Sequence, residues 1–135
     1  MAELFLIGRI IFGGYFVYNG MNHFLATGMM AQYAGSKGVP MPEIAVLLTG
    51  VLMLIGGASI LLGIWPQVGI LCIVLFLAGV SPIMHNFWAV ADPTARMAEM
   101  VNFTKNFALF GGALAMSGVP RPWPYSLERR RPVVA

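Results

Sequence analysis

Four long apolar stretches fill most of the chain, and the few polar residues inside them gather toward one end of the stretches. They cover residues 4–24, 44–65, 68–88 and 101–119. Each is about 20 residues long, which is the length that a helix needs to cross a hydrocarbon core of about 30 Å. The pattern predicts an all-α fold, an integral membrane four-helix bundle in residues 1–120, followed by a basic, proline-rich cytoplasmic tail in residues 121–135.

The composition also favours a membrane protein. Hydrophobic residues make up 59% of the chain and charged residues 10%, whereas a soluble domain carries about 25% charged residues. The single cysteine, Cys72, lies inside the third stretch, which excludes an intramolecular disulfide and a cysteine-based metal site. We expect no metal site. We also expect no nucleic-acid partner, because the basic residues are too few to form a binding face.

The distribution of arginines predicts the orientation in the membrane. Four crossings place both termini on the same side, and that side collects Arg121, Arg129, Arg130 and Arg131. Because cytoplasmic segments are enriched in Lys and Arg, we expect a multi-pass protein with both termini in the cytoplasm.

The connections between the stretches are predicted from their glycines, prolines and polar residues. Residues 25–42 form the longest, a Gly- and Pro-rich first loop, and residues 89–100 form a polar third loop at the surface. Trp65, Trp88 and Trp123 all fall at predicted helix ends, where an aromatic belt would lie.

Arg9 is an isolated charge near the cytoplasmic end of the first stretch. Its long side chain can extend toward the interface. The second stretch contains no acid, so Ser59 and the Glu3 carboxylate are the expected partners of this arginine.

Three of the four stretches contribute polar residues at the end away from the termini. Their spacings of i, i+3 and i+4 place them on helix faces, and polar faces in a membrane point toward the bundle interior or a water-filled cavity. We therefore predict a ligand pocket formed by Asn19, Asn22, His23, Ser81, His85, Asn86, Asn102, Lys105 and Asn106.

The chemistry of the predicted pocket limits its ligand. It is expected to be positive or neutral and to hold no carboxylate, which suits an acceptor-rich ligand such as a quinone head group, a small oxyanion or an anionic lipid head group. The alternatives are interfacial histidines, a Lys105 that extends to lipid head groups, and asparagines that link helices for about 1 kcal/mol each. His23 and His85 also end parallel helices, as two axial ligands of a haem b would.

Several motifs resemble those of the DoxX family of small four-helix membrane proteins. The most specific are His-Asn-Phe-Trp at residues 85–88 and Phe-x-Lys-Asn at residues 103–106. The others lie at residues 8–9, 20–24, 38–40, 55–57, 61–63, 107–109 and 111–112.

The resemblance implies a bacterial inner membrane protein. Some family members are linked to redox chemistry, namely thiosulfate or sulfide oxidation through quinone and membrane assemblies that respond to oxidative stress. Many carry a glutamate in the second helix before the Gly-Gly pair, whereas residues 51–54 here read Val-Leu-Met-Leu.

Two functional hypotheses follow. In the first, the chain is an accessory subunit or binding module of membrane redox chemistry, embedded in the bilayer and associated with a larger membrane complex or with copies of itself. In the alternative, it is a quinone-linked oxidoreductase component that acts on small sulfur species. Quinone is the favoured cofactor candidate, and the sequence does not decide whether the protein is an enzyme.

Overall fold

Five α-helices form the fold in the computed structural model, which describes residues 1–128. In chain order they are α1 (Ala2–Leu25), α2 (Thr27–Ser36), α3 (Pro42–Leu62), α4 (Pro66–Met84) and α5 (Pro93–Ser117), with one 3-10 turn at Phe87–Ala89. The described part of the chain contains no strand, and the all-α prediction is confirmed. Arg129, Arg130 and Arg131, on which the orientation partly depends, lie outside the described residues.

The four long helices pack in the order α1, α3, α4 and α5. The contact between α1 and α3 is the most extensive, and α4 lies between α3 and α5. A Cβ atom added to Gly13 would lie 2.7 Å from the carbonyl oxygen of Gly57. Small residues at such a crossing let helix backbones approach closely, which is how helices associate where lipid competes for apolar contacts.

Three of the helical segments are long and apolar enough to cross a membrane: Ala2–Leu25, Pro42–Leu62 and Pro66–Ala89. Apolar side chains on their outer faces are exposed, such as Ile11, Leu48 and Leu71. Such surfaces are stable in lipid and costly in water. Helix α5 has 25 residues, but it is more polar and is not one of the three.

The first connection differs from the predicted loop because it contains the ten-residue helix α2. Ala31 and Ala34 on α2 are buried in a small cluster with Val46 of α3. Gly28 and Gly35 near its ends led to the prediction of a loop, because glycine has a weak intrinsic preference for helix. Burial of the small apolar face of α2 outweighs that weak preference.

Helix α5 also begins earlier than predicted, at Pro93 instead of residue 101. The Asp92 side chain accepts a hydrogen bond from the Ala95 amide at 2.8 Å, and Pro93 occupies the first turn. An N-terminal Asp cap followed by proline is a strong helix start. The predicted third loop is therefore largely helical.

The segment after α5 returns to the N-terminal end of the bundle. Trp123 is 2% exposed and packs edge-on against Phe5, with ring centroids 5.1 Å apart. The Leu127 amide donates to the Leu62 carbonyl at 3.0 Å. The prediction that Trp123 belongs to an aromatic belt is wrong, because the indole is part of the core.

Arg9 is 1% exposed and does not extend to the interface. Its guanidinium donates to the carbonyl oxygens of Pro124 at 3.1 Å and Tyr125 at 3.0 Å, and lies 6.0 Å from the Trp123 ring centroid. The expected partners, Glu3 and Ser59, bond elsewhere. Carbonyls of the returning segment thus accept from both terminal nitrogens of the guanidinium, while within residues 1–128 its buried Nε has no partner. The contact holds the chain after α5 at the end of the bundle where α1 begins.

Candidate functional site

Two adjoining cavities lie near α2, toward the end of the bundle opposite to the one where α1 begins. The larger is an apolar groove of about 510 Å³ between α2, α3 and α4. The smaller is a more polar cavity of about 160 Å³ between α1, α4 and α5. Four residues line both, namely His23, Phe76, Val80 and His85. We refer to them as the groove and the polar cavity.

The groove has mostly apolar walls and reaches the outer surface of the bundle. Methionines of α2 and α4 and aliphatic residues of α3 and α4 form most of the lining. Leu75 and Ile83 in this lining are exposed by 56% and 50%. Because this surface would face lipid, an apolar chain could enter the groove sideways from the bilayer.

The polar cavity collects five of the nine residues that the sequence predicted for a ligand pocket: Asn19, His23, His85, Lys105 and Asn106. Asn106 is buried, whereas Lys105 is exposed at the edge of the cavity. Grouping the polar residues by their position along each predicted helix therefore identified side chains that line one cavity, although they come from different helices.

The other four predicted residues do not line the polar cavity. Ser81 donates to the Leu77 carbonyl one turn earlier in its own helix, at 2.6 Å. Asn86 accepts a hydrogen bond from Lys37 at 3.2 Å, and Asn102 accepts one from Lys105 at 3.3 Å. Asn22 is half-buried outside both cavities.

His23 is held by the neighbouring helix α3 through one ring nitrogen. Its Nδ1 lies 3.0 Å from the Val46 carbonyl oxygen and 3.1 Å from the Thr49 hydroxyl. The Thr49 hydroxyl can donate its own hydrogen to the Ala45 carbonyl at 2.8 Å. Since a carbonyl oxygen only accepts, the contact with Val46 requires a proton on Nδ1, and Nε2 is an acceptor when the ring carries that proton alone.

His85 is held in the same way by a carboxylate. Its Nδ1 lies 2.7 Å from Glu99 Oε2, and both side chains are largely buried. An ionised carboxylate only accepts hydrogen bonds, so Nδ1 of His85 donates to it. Glu99 lines neither cavity, but α5 begins early enough to bring it against His85, a contact that the sequence prediction of the pocket did not include.

Glu99 also anchors α2 to the rest of the bundle. The Tyr33 hydroxyl donates to its Oε1 at 2.6 Å, and the Lys37 ammonium lies 3.8 Å from the same oxygen. Lys37 in turn lies 5.6 Å from the Tyr33 ring centroid. The Glu99 carboxylate thus links α2 to His85, which lines the groove.

These contacts keep Glu99 ionised at neutral pH. Both Glu99 and Tyr33 lie outside the apolar stretches. Burial opposes ionisation of Glu99, but the hydrogen bonds from Tyr33 and His85 and the charge of Lys37 outweigh it, so the pKa of Glu99 is below its ordinary value. Burial and the hydrogen bond to Glu99 raise the pKa of Tyr33 to about 12. Tyr33 therefore remains a hydrogen-bond donor to the carboxylate.

The sequence contained a signal for Glu99 that the loop assignment concealed. Glu99, Asn102 and Asn106 have the spacing i, i+3 and i+7, which places them on one helical face. Asp92 followed by Pro93 was the corresponding start signal. Tyr33 and Thr49 had no comparable signal, because their roles depend on how α2 and α3 pack.

Comparison with known proteins agrees with a helical membrane protein. The DoxX family model matches residues 4–86, which is more than half of the chain. This chain belongs to the DoxX family. It is also 28% identical over 127 residues to the Escherichia coli (strain K12) inner membrane protein YphA, covering 94% of this chain and 89% of that protein. No solved structure matches at a significant level.

The DoxX match divides the site unequally. It covers α1 to α4, and with them His23, Thr49 and His85. Glu99, Lys105 and Asn106 lie beyond it on α5. The α5 side of the site is thus argued from the structure of this DoxX protein itself, without support from the family model.

Proposed function

We propose that this DoxX protein is a membrane-embedded binding module for an amphiphile of the quinone class, acting as an accessory component of membrane redox chemistry. The observation that carries the proposal is the junction of the two cavities at His23, Phe76, Val80 and His85. A ligand at this junction would place its apolar tail in the groove and its head group in the polar cavity.

Different parts of the ligand would serve different purposes. Lipid is as apolar as the groove, so the tail gains little free energy on leaving the bilayer and mainly fixes the position of the ligand. Affinity must come from polar contacts to the head group, each worth about 0.5–1.5 kcal/mol for a neutral pair. Asn106, Lys105 and the two histidines are the available partners.

The proposed location is the inner membrane, with both termini in the cytoplasm and α5 as the fourth crossing. The segment after α5 bonds to Arg9 near the start of α1, which fits an even number of crossings. Reporter domains fused after residue 135 are expected to be active only as cytoplasmic reporters. Activity of a periplasmic reporter at that position would contradict the proposed orientation.

The binding proposal is tested with the full chain in lipid nanodiscs and a short-tailed photoreactive quinone. We expect labelling to saturate as the mole fraction of the quinone in the lipid rises, and to be competed by unlabelled quinone. An alkane with the same tail is the control and should not compete. Labelling that rises in proportion to the probe without saturation would contradict a site. Oxidation of sulfur species, the alternative function, stays a separate prediction.

A further inference from the structure

The two histidines of the polar cavity present the same kind of atom to a ligand. Within residues 1–128 each ring makes its hydrogen bonds through Nδ1, to Val46 and Thr49 for His23 and to Glu99 for His85. Nδ1 is the donor in both cases, so Nε2 is an acceptor at any pH at which the ring carries a single proton. The sequence predicts a pocket suited to an acceptor-rich ligand, whereas these two Nε2 atoms would take a hydrogen from the ligand.

The other polar residues at the cavity supply the complementary group. The Lys105 ammonium has three donor hydrogens and no acceptor, and the Asn106 amide offers two donor hydrogens and an acceptor oxygen. A quinone carbonyl only accepts, so it would satisfy Lys105 and Asn106 and leave both imidazole acceptors without a hydrogen. A hydroxyl group would accept from Lys105 or Asn106 and donate its one hydrogen to Nε2 of one of the two histidines.

From this arrangement we infer that the polar cavity selects a hydroxyl-bearing head group, such as a hydroquinone or another phenol, and that the pair formed by Glu99 and His85 sets this preference. The inference rests on the proposed function, because it concerns the head group of the same amphiphile. Glu99 is a positioning residue here: it fixes the proton on Nδ1 of His85 and thereby leaves Nε2 to accept from the ligand hydroxyl.

The contact of Glu99 with Tyr33 provides a way to separate this effect from simple anchoring of α2. Tyr33 and His85 bond to different oxygens of the carboxylate, Oε1 and Oε2. Tyr33→Phe removes the anchoring bond and leaves the carboxylate on His85. Glu99→Gln keeps an oxygen for Tyr33 but can donate its amide hydrogens to Nδ1, which would move the proton of the imidazole to Nε2 and turn the acceptor into a donor.

The experiment measures competition against the photoreactive quinone in nanodiscs under anaerobic conditions. The competitors share one tail and carry a hydroquinone head, its dimethyl ether or the oxidised quinone. For the wild-type protein we expect the hydroquinone to compete about tenfold better than either acceptor-only head, the effect of one hydrogen bond. Glu99→Gln should abolish or invert this preference, and Tyr33→Phe should retain it.

The outcomes separate the two proposals. Saturable labelling with equal competition by all three heads would overturn the inference and leave the binding proposal standing. Loss of the preference in Tyr33→Phe to the same extent as in Glu99→Gln would also overturn it, because the effect would then come from α2. Absence of saturable labelling in the wild type would overturn both. If Glu99→Gln does not fold, the wild-type preference still decides between the hydroxyl-bearing and acceptor-only heads.

Discussion

Replacing Trp123 with alanine is expected to lower the free energy of unfolding by about 3–5 kcal/mol, the usual cost of removing a large buried aromatic side chain. The indole is 2% exposed, packs edge-on against Phe5 and donates to the Val119 carbonyl at 3.2 Å. It also covers the buried guanidinium of Arg9. Unfolding in mixed detergent micelles, followed by circular dichroism, measures the change.

Trp65→Ala is the matched control, because Trp65 lies near the same end of the bundle but is 67% exposed. We expect it to change the free energy of unfolding by less than about 1 kcal/mol, as surface substitutions usually do. Equal effects of the two variants would show that the segment after α5 does not belong to the core, contrary to the packing described for Trp123 and Arg9.

The second large effect is expected from Gly79→Leu, which fills the groove. Gly79 lines the groove, and a Cβ atom built there meets nothing within 4 Å. The leucine side chain would therefore extend into the space proposed for the ligand tail without a clash in the bundle. Labelling by the photoreactive quinone should fall by about tenfold or more, equivalent to about 1.4 kcal/mol of binding free energy, because the leucine would exclude the tail and keep the head group out of position.

Gly111→Leu is the matched control for the groove variant. Gly111 also lies within a long helix, its added Cβ meets nothing within 4 Å, and it lines neither cavity. Both variants gain the same helix propensity, so their difference isolates the filling of the groove. Equal labelling of the two variants would mean that the ligand tail lies elsewhere.

The bundle could be predicted from sequence because lipid-facing helices need long apolar runs, and such runs are visible without knowledge of packing. Five of the nine predicted site residues line one cavity for a related reason. Polar groups are costly in contact with lipid, so they tend to face the interior of the bundle. This restricts the positions open to Asn19, His23, His85, Lys105 and Asn106. Depth along each helix was enough to group them.

The remaining contacts depend on tertiary structure that leaves no periodic signal. Arg9 donates to main-chain carbonyls of Pro124 and Tyr125, and every residue has a carbonyl, so no residue type marks such a partner. Trp123 stands in a proline-rich segment whose return to the core cannot be read from local pattern. Glu99 was missed for a different reason: its helix face was present in the sequence but had been assigned to a loop.

These corrections change the chemistry expected of the site. Without Glu99 the pocket would be a set of donors suited to anions and quinone carbonyls. With Glu99 on His85 and Val46 on His23, the neutral imidazoles become acceptors beside Lys105 and Asn106. On this basis we infer that the site prefers a hydroxyl to a carbonyl at the same position.

The central claim is that the ligand lies where the groove meets the polar cavity, and its most direct test is to locate the photoreactive quinone by peptide mass spectrometry. With the reactive group on the head, we predict that labelled residues cluster around His23, Phe76, Val80 and His85. With the reactive group on the tail, they should shift to the groove near Gly79. Labels spread over the lipid-facing surfaces of the helices, and unaffected by competing unlabelled quinone, would contradict the claim.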